Sequence, residues 1–353
     1  MKKTFLKSLV IWVVFLIWGC WLGIPNPLGN PAGKFMNNVV NLAEFNSEFD
    51  DYNSNLSQNK YGEPYLIFSS KRETKQYFNL VGFPAKIDYD DKKDIPVLSK
   101  STNGYLDSFS ETIFASAFMS RVNGNHDVLG PFVVTRNNIV SYGNSPKYQF
   151  LFFADDKDKN LEIKVIYTDK DGKETGPVKL DYLNSKADDA YPYIEQNGSK
   201  VFFCSNRGGS FDIFEATIGS KNAGNTVSMI DQLISPKEVF VYKTENVSDE
   251  KADDKCPYLG NGGIMVFTSN RAGGFGGYDI YYSVLENGTW GLPINAGPRI
   301  NTKYDEYRPI LPNLNNFRYP LMIFSSNRPE GKGGFDLYMT GLVELDNMGK
   351  IKK

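Results

Sequence analysis

Side chains that could perform acid–base or nucleophilic chemistry are unevenly represented in this sequence. His126 is the only histidine among 353 residues, so a histidine-based metal cluster is excluded and a Ser-His-Asp triad would depend on this one residue. The Gly-x-Ser-x-Gly elbow typical of serine hydrolases is absent. Aspartate and glutamate together number 41, which keeps open a pair of carboxylates that hydrolyses a glycosidic bond.

One acidic segment has the spacing of a calcium-binding loop. Asp156, Asp158 and Asn160 alternate with lysines, and oxygen ligands so spaced can surround Ca²⁺. The segment lacks the glycine and the distant glutamate of a complete loop, so its alternative interpretation is a polar hairpin turn. We expect no other metal site and no cofactor. The glycine-rich stretch 272–277 lies between two predicted strands with no helix after it, which argues against a phosphate cradle.

A repeat explains which elements must position these side chains. Each strong copy contains an acidic pair, an apolar run, Ser-Asn-Arg, glycines, and then an aromatic residue, Asp, an aliphatic residue and an aromatic residue. Three weaker copies precede the strong ones, and the copy near residue 156 has lost its arginine. The arginines and aspartates assigned to the repeat are Arg72, Arg121, Arg207, Asp212, Arg271, Asp279, Arg328 and Asp336.

Six copies predict an all-β fold, a β-propeller of six blades with four antiparallel strands each. The apolar run is expected to be a strand buried on both faces between blades, and the glycines allow a tight hairpin. We expect the arginine and aspartate of one unit, such as Arg271 and Asp279, to form a charge-assisted hydrogen bond across the hairpin. Because little chain follows Tyr338, we expect an N-terminal strand to complete the last blade.

The unit at 269–281, Ser-Asn-Arg-x-Gly-Gly-x-Gly-Gly-Tyr-Asp-Ile-Tyr, resembles the WD-repeat-like propeller repeat of TolB-type proteins. The resemblance is specific over 185–340 and looser over 61–184. Such proteins occur in the envelope of diderm bacteria, often beside an OmpA-like domain, which we expect to be lacking here. The resemblance implies a periplasm-facing scaffold, not an enzyme, whose partner is another envelope protein or complex.

The N-terminus predicts export. Basic residues precede an apolar run from Leu9 to Trp18, and Gly19-Cys20 follows, which resembles a bacterial lipobox. We expect a signal peptide over 1–19 and a membrane-associated lipoprotein held through a lipid on Cys20; an uncleaved anchor and simple secretion are the alternatives. The further predicted segments are a tether with a short helix (20–56), the propeller (57–345) and a tail (346–353).

The state of the two remaining cysteines stays open at this stage. Cys204 and Cys256 could form a disulfide in an exported protein, or be two separate buried thiols. The formal net charge of −2 argues against nucleic acid as a partner. The function hypotheses are therefore a membrane-tethered interaction scaffold and, as the alternative, a periplasmic glycan-binding or carboxylate-dependent glycan-active propeller.

Overall fold

Antiparallel β-sheets make up nearly all of the regular structure. The computed structural model shows five sheets whose first strands contact one another around a common axis, which is the arrangement of a propeller. The structure describes residues 35–58, 64–90, 92–93, 95–101, 117–136, 148–168, 173–195, 198–219, 233–312, 314 and 319–343.

Each sheet is one blade, and its strands follow one another outwards from the axis. Blade 1 contains β2 (Asp51–Gln58), β3 (Pro64–Ser70), β4 (Asn79–Asp90) and β5 (Ile95–Lys100), and blade 2 contains β6 (Val128–Arg136), β7 (Tyr148–Asp155), β8 (Glu162–Thr168) and β9 (Glu174–Lys179). Blade 3 contains β10 (Asp189–Ile194), β11 (Lys200–Ser205), β12 (Asp212–Ile218) and β13 (Val239–Lys243). Blade 4 contains β14 (Asp254–Gly260), β15 (Ile264–Ser269), β16 (Asp279–Glu286), β17 (Thr289–Trp290) and β18 (Ile294–Asn295). Blade 5 contains β19 (Glu306–Ile310), β20 (Leu321–Ser326), β21 (Asp336–Gly341) and, as its outermost strand, β1 (Val40–Asn41).

The propeller has five blades, so the predicted count of six is wrong. The excess copy is the one anchored at Arg121, which lies among the helical residues 117–122 and not in a hairpin between strands. Phe118 and Val122 are buried in a cluster with Ile67 and Leu151, which places the helix between blades 1 and 2. The apolar residues that were interpreted as a strand therefore pack one side of a helix. An apolar run this short does not distinguish a strand from a helix.

The second strand of each blade confirms the prediction for the apolar run. All six residues of β15 and of β20 are buried. Neighbouring blades cover both faces of these strands, so the usual alternation of apolar and polar residues is lost.

The glycines that follow these strands permit close approach between blades. A Cβ at Gly276 would lie 2.0 Å from the carbonyl oxygen of Tyr304, and one at Gly333 would lie 2.1 Å from that of Phe49. Both carbonyls belong to the segment that leads into the next blade around the ring. Any side chain at these two positions would force the two blades apart.

The N-terminal segment closes the ring. In β1, Val40 and Asn41 pair with Met339 and Tyr338 of β21. The side-chain amide of Asn46 accepts from the Leu337 N–H (2.8 Å) and donates to the Leu337 carbonyl (3.0 Å). The same two-bond clamp occurs at three junctions where the chain is continuous, made by Asn123, Asn184 and Asn301. An N-terminal strand thus completes the last blade, as expected.

The tether is shorter than predicted. The helix expected between residues 35 and 45 is absent, because Val40 and Asn41 form a strand. Leu42 and Phe45, two of the residues whose spacing suggested that helix, are buried in the main core together with Met36. The propeller accordingly includes residues before 57.

Several expectations concern residues outside this description. The signal segment, Cys20 and the tail at 346–353 lie beyond the described residues. Within the described part of the chain, no helix has the length and apolar character needed to cross a membrane. Cys204 and Cys256 are both buried and are free thiols, not a disulfide.

Ring closure can be tested by truncation. A chain that begins at residue 47 lacks β1, the Asn46 clamp and three buried apolar side chains, and we expect its melting temperature to fall by about 10 °C. A chain that begins at Phe35 is the matched control and should melt close to the full-length protein. Thermal unfolding followed by circular dichroism measures both; equal melting temperatures would contradict closure by this segment.

Candidate functional site

Four of the repeat arginines occupy equivalent positions beside the first strand of their own blade. The Arg271 Nη2 lies 2.6 Å from Asp254 Oδ1 and donates to the Val247 carbonyl (2.7 Å), while Nε donates to Ser269 Oγ (2.9 Å). The guanidinium also lies over the Tyr281 ring. The same geometry recurs in the pairs Arg72–Asp51 (2.6 Å), Arg207–Asp189 (2.6 Å) and Arg328–Glu306 (3.0 Å).

The expected bond between Arg271 and Asp279 therefore has to be corrected. The partner of the arginine is the second acid of the pair at the start of the first strand, whose side chain is completely buried. Burial raises the pKa of Asp254, and Arg271 opposes that shift by attraction. Each of these acids connects parts of its own blade and is not free for catalysis.

The aspartates of the third strands fasten the glycine turns. Asp279 accepts from the backbone N–H groups of Phe275 (2.6 Å) and Gly276 (3.2 Å) and from the side-chain amide of Asn295 (3.0 Å). In the same way, Asp336 accepts from the backbone N–H of Lys332 and of Gly333.

Two further positions depart from this pattern. Asp212 lies 3.6 Å from Lys243, and burial raises the pKa of its carboxyl. Arg121 lies apart from every repeat contact, beside Glu174 (3.4 Å) near the end of blade 2.

The acidic segment at 156–160 is distributed over three separate contacts. Asp156 Oδ1 accepts from the Asp127 N–H (2.8 Å), which is the role of the asparagine in the stronger repeats. Asp158 pairs with Lys164 (3.0 Å), and the Asn160 side chain donates to the Ala187 carbonyl (2.8 Å). Within the residues that the structure describes, no three His, Cys, Asp or Glu side chains converge in a way that could hold a metal.

The propeller axis is filled by aromatic side chains. Near the start of the first strands, the Tyr307 ring lies 5.1 Å from that of Tyr52 and 6.3 Å from that of Tyr191. Near their ends, Phe132, Tyr193 and Tyr258 pack edge to face, with ring centroids 4.9 to 6.0 Å apart. A ligand the size of an organic molecule therefore has to bind away from the centre.

A groove between blades 3 and 4 provides such a place. It encloses about 680 Å³, within the range of small-molecule sites. One wall is a row of four side chains in register across blade 3: Tyr193, Phe202, Glu215 and Tyr242. The row runs from the axis to the rim because β10 to β13 pair in consecutive order.

The opposite wall belongs to blade 4 and is low. Gly263 and Gly288 line it with positive φ angles of 72° and 82°, and neither carries a side chain that would fill the groove. Trp290 forms the floor, since its ring meets the Phe202 ring edge to face at 6.3 Å. Tyr242 is 47% exposed at the opening, so its ring is accessible to a ligand.

Glu215 is the fixed polar centre of the groove and is only 4% exposed. Lys200 Nζ (2.7 Å), Thr217 Oγ1 (3.1 Å) and the Tyr242 hydroxyl all donate to its Oε1. Burial acts to lower the pKa of Lys200, but Glu215 outweighs it and the net pKa is raised. Burial and the bond to Glu215 both raise the pKa of Tyr242. Glu195, Lys243 and Glu245 add further charges along the groove.

Sequence reasoning missed this groove. Its members lie outside the repeated motif, and no linear spacing connects them, because they meet only through the register of separate strands. The one available signal was the alternation Val-Phe-Val-Tyr at 239–242, which leaves Phe240 and Tyr242 exposed on one face of a strand.

Comparisons with known proteins yield likenesses among solved structures. Neither a family model nor a curated protein matches the sequence. An endo-arabinase from Bacteroides thetaiotaomicron is 11% identical, with 90% of this chain and 100% of that chain covered and a TM-score of 0.49. An α-L-arabinofuranosidase from Lactobacillus brevis is 11% identical, covering 92% and 94%, with a TM-score of 0.46. An endo-1,4-β-xylanase from B. thetaiotaomicron is 12% identical, covering 90% and 96%, with a TM-score of 0.42.

These comparisons correct two expectations. The propeller is confirmed by its sheet topology, but the TolB-type resemblance receives no support from any of the matches. The prediction that the chain is not an enzyme needs correction, since the solved structures it resembles are named as an endo-arabinase, an α-L-arabinofuranosidase and an endo-1,4-β-xylanase; at 11 to 12% identity these likenesses describe the fold alone.

The role of the repeat arginines can be tested by charge removal. We expect Arg271→Met to lower the melting temperature by about 5 °C or more, because it leaves Asp254 buried without its partner. Adding Asp254→Asn should recover part of the loss by removing that charge. Arg121→Met is the matched control and should change the melting temperature by about 1 °C at most. A similar loss in both single variants would contradict the assignment.

Proposed function

We propose that this chain is a glycan-active β-propeller that binds carbohydrate in the groove between blades 3 and 4. The observation that carries the proposal is the row in which Glu215 lies between the aromatic rings of Phe202 and Tyr242, opposite a wall lowered by glycines. A sugar ring has apolar C–H faces and a rim of hydroxyl groups. It therefore fits a site that combines exposed aromatic faces with charged hydrogen-bonding groups.

The contacts divide between binding and orientation. The exposed ring of Tyr242 and the Trp290 ring at the floor supply apolar contact for a sugar face. Lys200, Thr217 and Tyr242 all bind Oε1 of Glu215, so Oε2 is the oxygen we assign to a ligand hydroxyl. Because the three donors fix the carboxylate, it needs little reordering when ligand binds.

Hydrolysis of a glycosidic bond requires two carboxyl groups, one of which donates a proton to the leaving oxygen. We assign the role of the second carboxylate, the one that does not donate the proton, to Glu215, because its side chain is held in a fixed orientation. Glu195 and Glu245 line the same groove and are the candidates for the proton donor. In this scheme the second carboxylate either attacks the anomeric carbon or activates a water molecule.

Export remains part of the proposal. The basic and apolar N-terminal segment and Cys20 support a membrane-associated lipoprotein that faces the periplasm, with the propeller displayed beyond the anchor. An envelope protein as a further partner is compatible with this location. No contact among the described residues identifies one.

Carbohydrate binding is tested with purified protein and soluble arabinan and xylan. We expect Tyr242→Ala to weaken binding about tenfold, measured by affinity electrophoresis and calorimetry, because it removes the exposed ring. Phe240→Ala is the matched control, since Phe240 lies two residues away on the same face of β13, is 65% exposed and is outside the groove. Equal effects of the two substitutions would contradict binding in this groove.

Hydrolysis is tested separately from binding. We expect Glu215→Gln to reduce release of reducing sugar at least about 100-fold, a larger factor than its effect on polysaccharide binding, because the amide can still accept a hydrogen bond but cannot act as a nucleophile or base. Full activity in this variant would exclude the catalytic assignment. Binding without any hydrolysis by the wild-type protein would reduce the proposal to glycan recognition.

A further inference from the structure

One position recurs at the same place around the axis in every blade. The first strand of each blade has a register shift of one extra residue, a β-bulge, opposite its second strand. A residue in each bulge adopts the left-handed conformation, with φ between 49° and 60°. These residues are Asn53, Gly130, Tyr191, Cys256 and Arg308.

Arg308 is the exceptional member of this set. Its side chain is 0% exposed, and none of Nε, Nη1 and Nη2 has a hydrogen-bond partner. Its guanidinium carbon lies 5.4 Å from the centroid of the Tyr191 ring, the equivalent residue two blades away. The backbone N–H is satisfied by Thr268 Oγ1 (3.2 Å), so only the side chain lacks a partner.

The bulge of the adjacent blade 1 also contains buried polar side-chain atoms without hydrogen-bond partners. Asn53 is also 0% exposed, and both its side-chain oxygen and its side-chain nitrogen lack partners, as does the hydroxyl of Ser54. Blades 5 and 1 adjoin here, since the Asn53 N–H donates to Ser325 Oγ (3.2 Å) on β20. Unpaired buried donors of this kind are rare in native structures and call for an occupant.

The protein supplies no negative charge to Arg308 among the described residues. The second acids of blades 1, 3, 4 and 5 are already bound to their own arginines. Tyr191, Tyr258 and Cys256 are close enough to interact with the guanidinium, but burial raises the pKa of each, that of Tyr258 to about 12. All three are therefore neutral at pH 7. A buried guanidinium without a counter-charge is strongly unfavourable.

We propose that the propeller axis encloses a small monovalent anion, the size of a halide, bound by Arg308 with Asn53 and Ser54. The guanidinium supplies charge and up to five N–H donors, the amide supplies N–H, and the serine supplies O–H. The occupant is small because aromatic rings close the axis on both sides of the bulges, Tyr52 and Tyr307 on one side and Phe132, Tyr193 and Tyr258 on the other.

The anion is expected to act as a structural ion. An ion that binds the folded chain and not the unfolded chain raises the melting temperature as its concentration rises. We expect a saturable increase of about 5 °C when sodium chloride replaces sodium gluconate at constant ionic strength, because gluconate is too large for the axis. A second titration with sodium bromide should reproduce it.

Arg308→Met is the decisive variant. It keeps an unbranched side chain but removes the charge, so the difference between chloride and gluconate should vanish. In gluconate the variant should be at least as stable as the wild-type protein, since an unpaired buried charge is gone. Lys71→Met, which removes a half-buried charge paired with Asp50 (3.1 Å), is the control and should keep the chloride effect.

Crystals grown in bromide provide a readout that does not depend on the variant folding. An anomalous peak within hydrogen-bond distance of the Arg308 guanidinium supports the site. Water alone at that position, or a chloride effect as large in Arg308→Met as in the wild-type protein, would overturn the proposal.

Discussion

The buried bond between a repeat arginine and an acid at the start of the first strand organises each strong blade. Through one guanidinium, Arg271 connects the end of β15, the start of β14 and the segment that enters the blade. The acid is completely buried, so its charge is balanced by this arginine and not by water. The bond thereby fixes the start of the first strand, and it also positions the bulge residue at the axis two residues later.

Blade 2 shows how the ring tolerates loss of that bond. It has no arginine after β7, and Lys164 from the third strand reaches Asp155 (2.7 Å) and Asp158 (3.0 Å). Burial acts to lower the pKa of Lys164, but these two bonds outweigh it and the net pKa is raised. In blade 2 the positive charge thus comes from a lysine on the third strand and not from an arginine that follows the second strand. The asparagine clamp at Asn184 is retained, so contact with the next blade is preserved.

The sequence predicted the elements whose cause is local. The apolar runs before Ser-Asn-Arg become strands buried on both faces, and the glycines mark hairpins, as at Gly276. The partner of Arg271 was not predictable in this way, because Asp254 and Asp279 are both acids at a reasonable distance along the chain and only the fold decides between them. The blade count failed because Phe118 and Val122 pack a helix with residues that also suit a strand. The groove depends on Phe202, Glu215 and Tyr242, which only strand register brings together.

Closure by β1 gives the chain a particular order of assembly. Val40 and Met339 are 299 residues apart (339 − 40), so this pairing can form only when nearly the whole chain is present. Contacts so distant in sequence are slow to form, because a very long loop must close before they contribute. Until then the outer edge of β21 carries unpaired backbone groups and can accept a strand from another molecule. A chain that emerges from its N-terminus therefore passes through an intermediate in which the ring is open and the edge of β21 can pair with another molecule. Pairing of the two-residue strand β1 with β21 ends that intermediate.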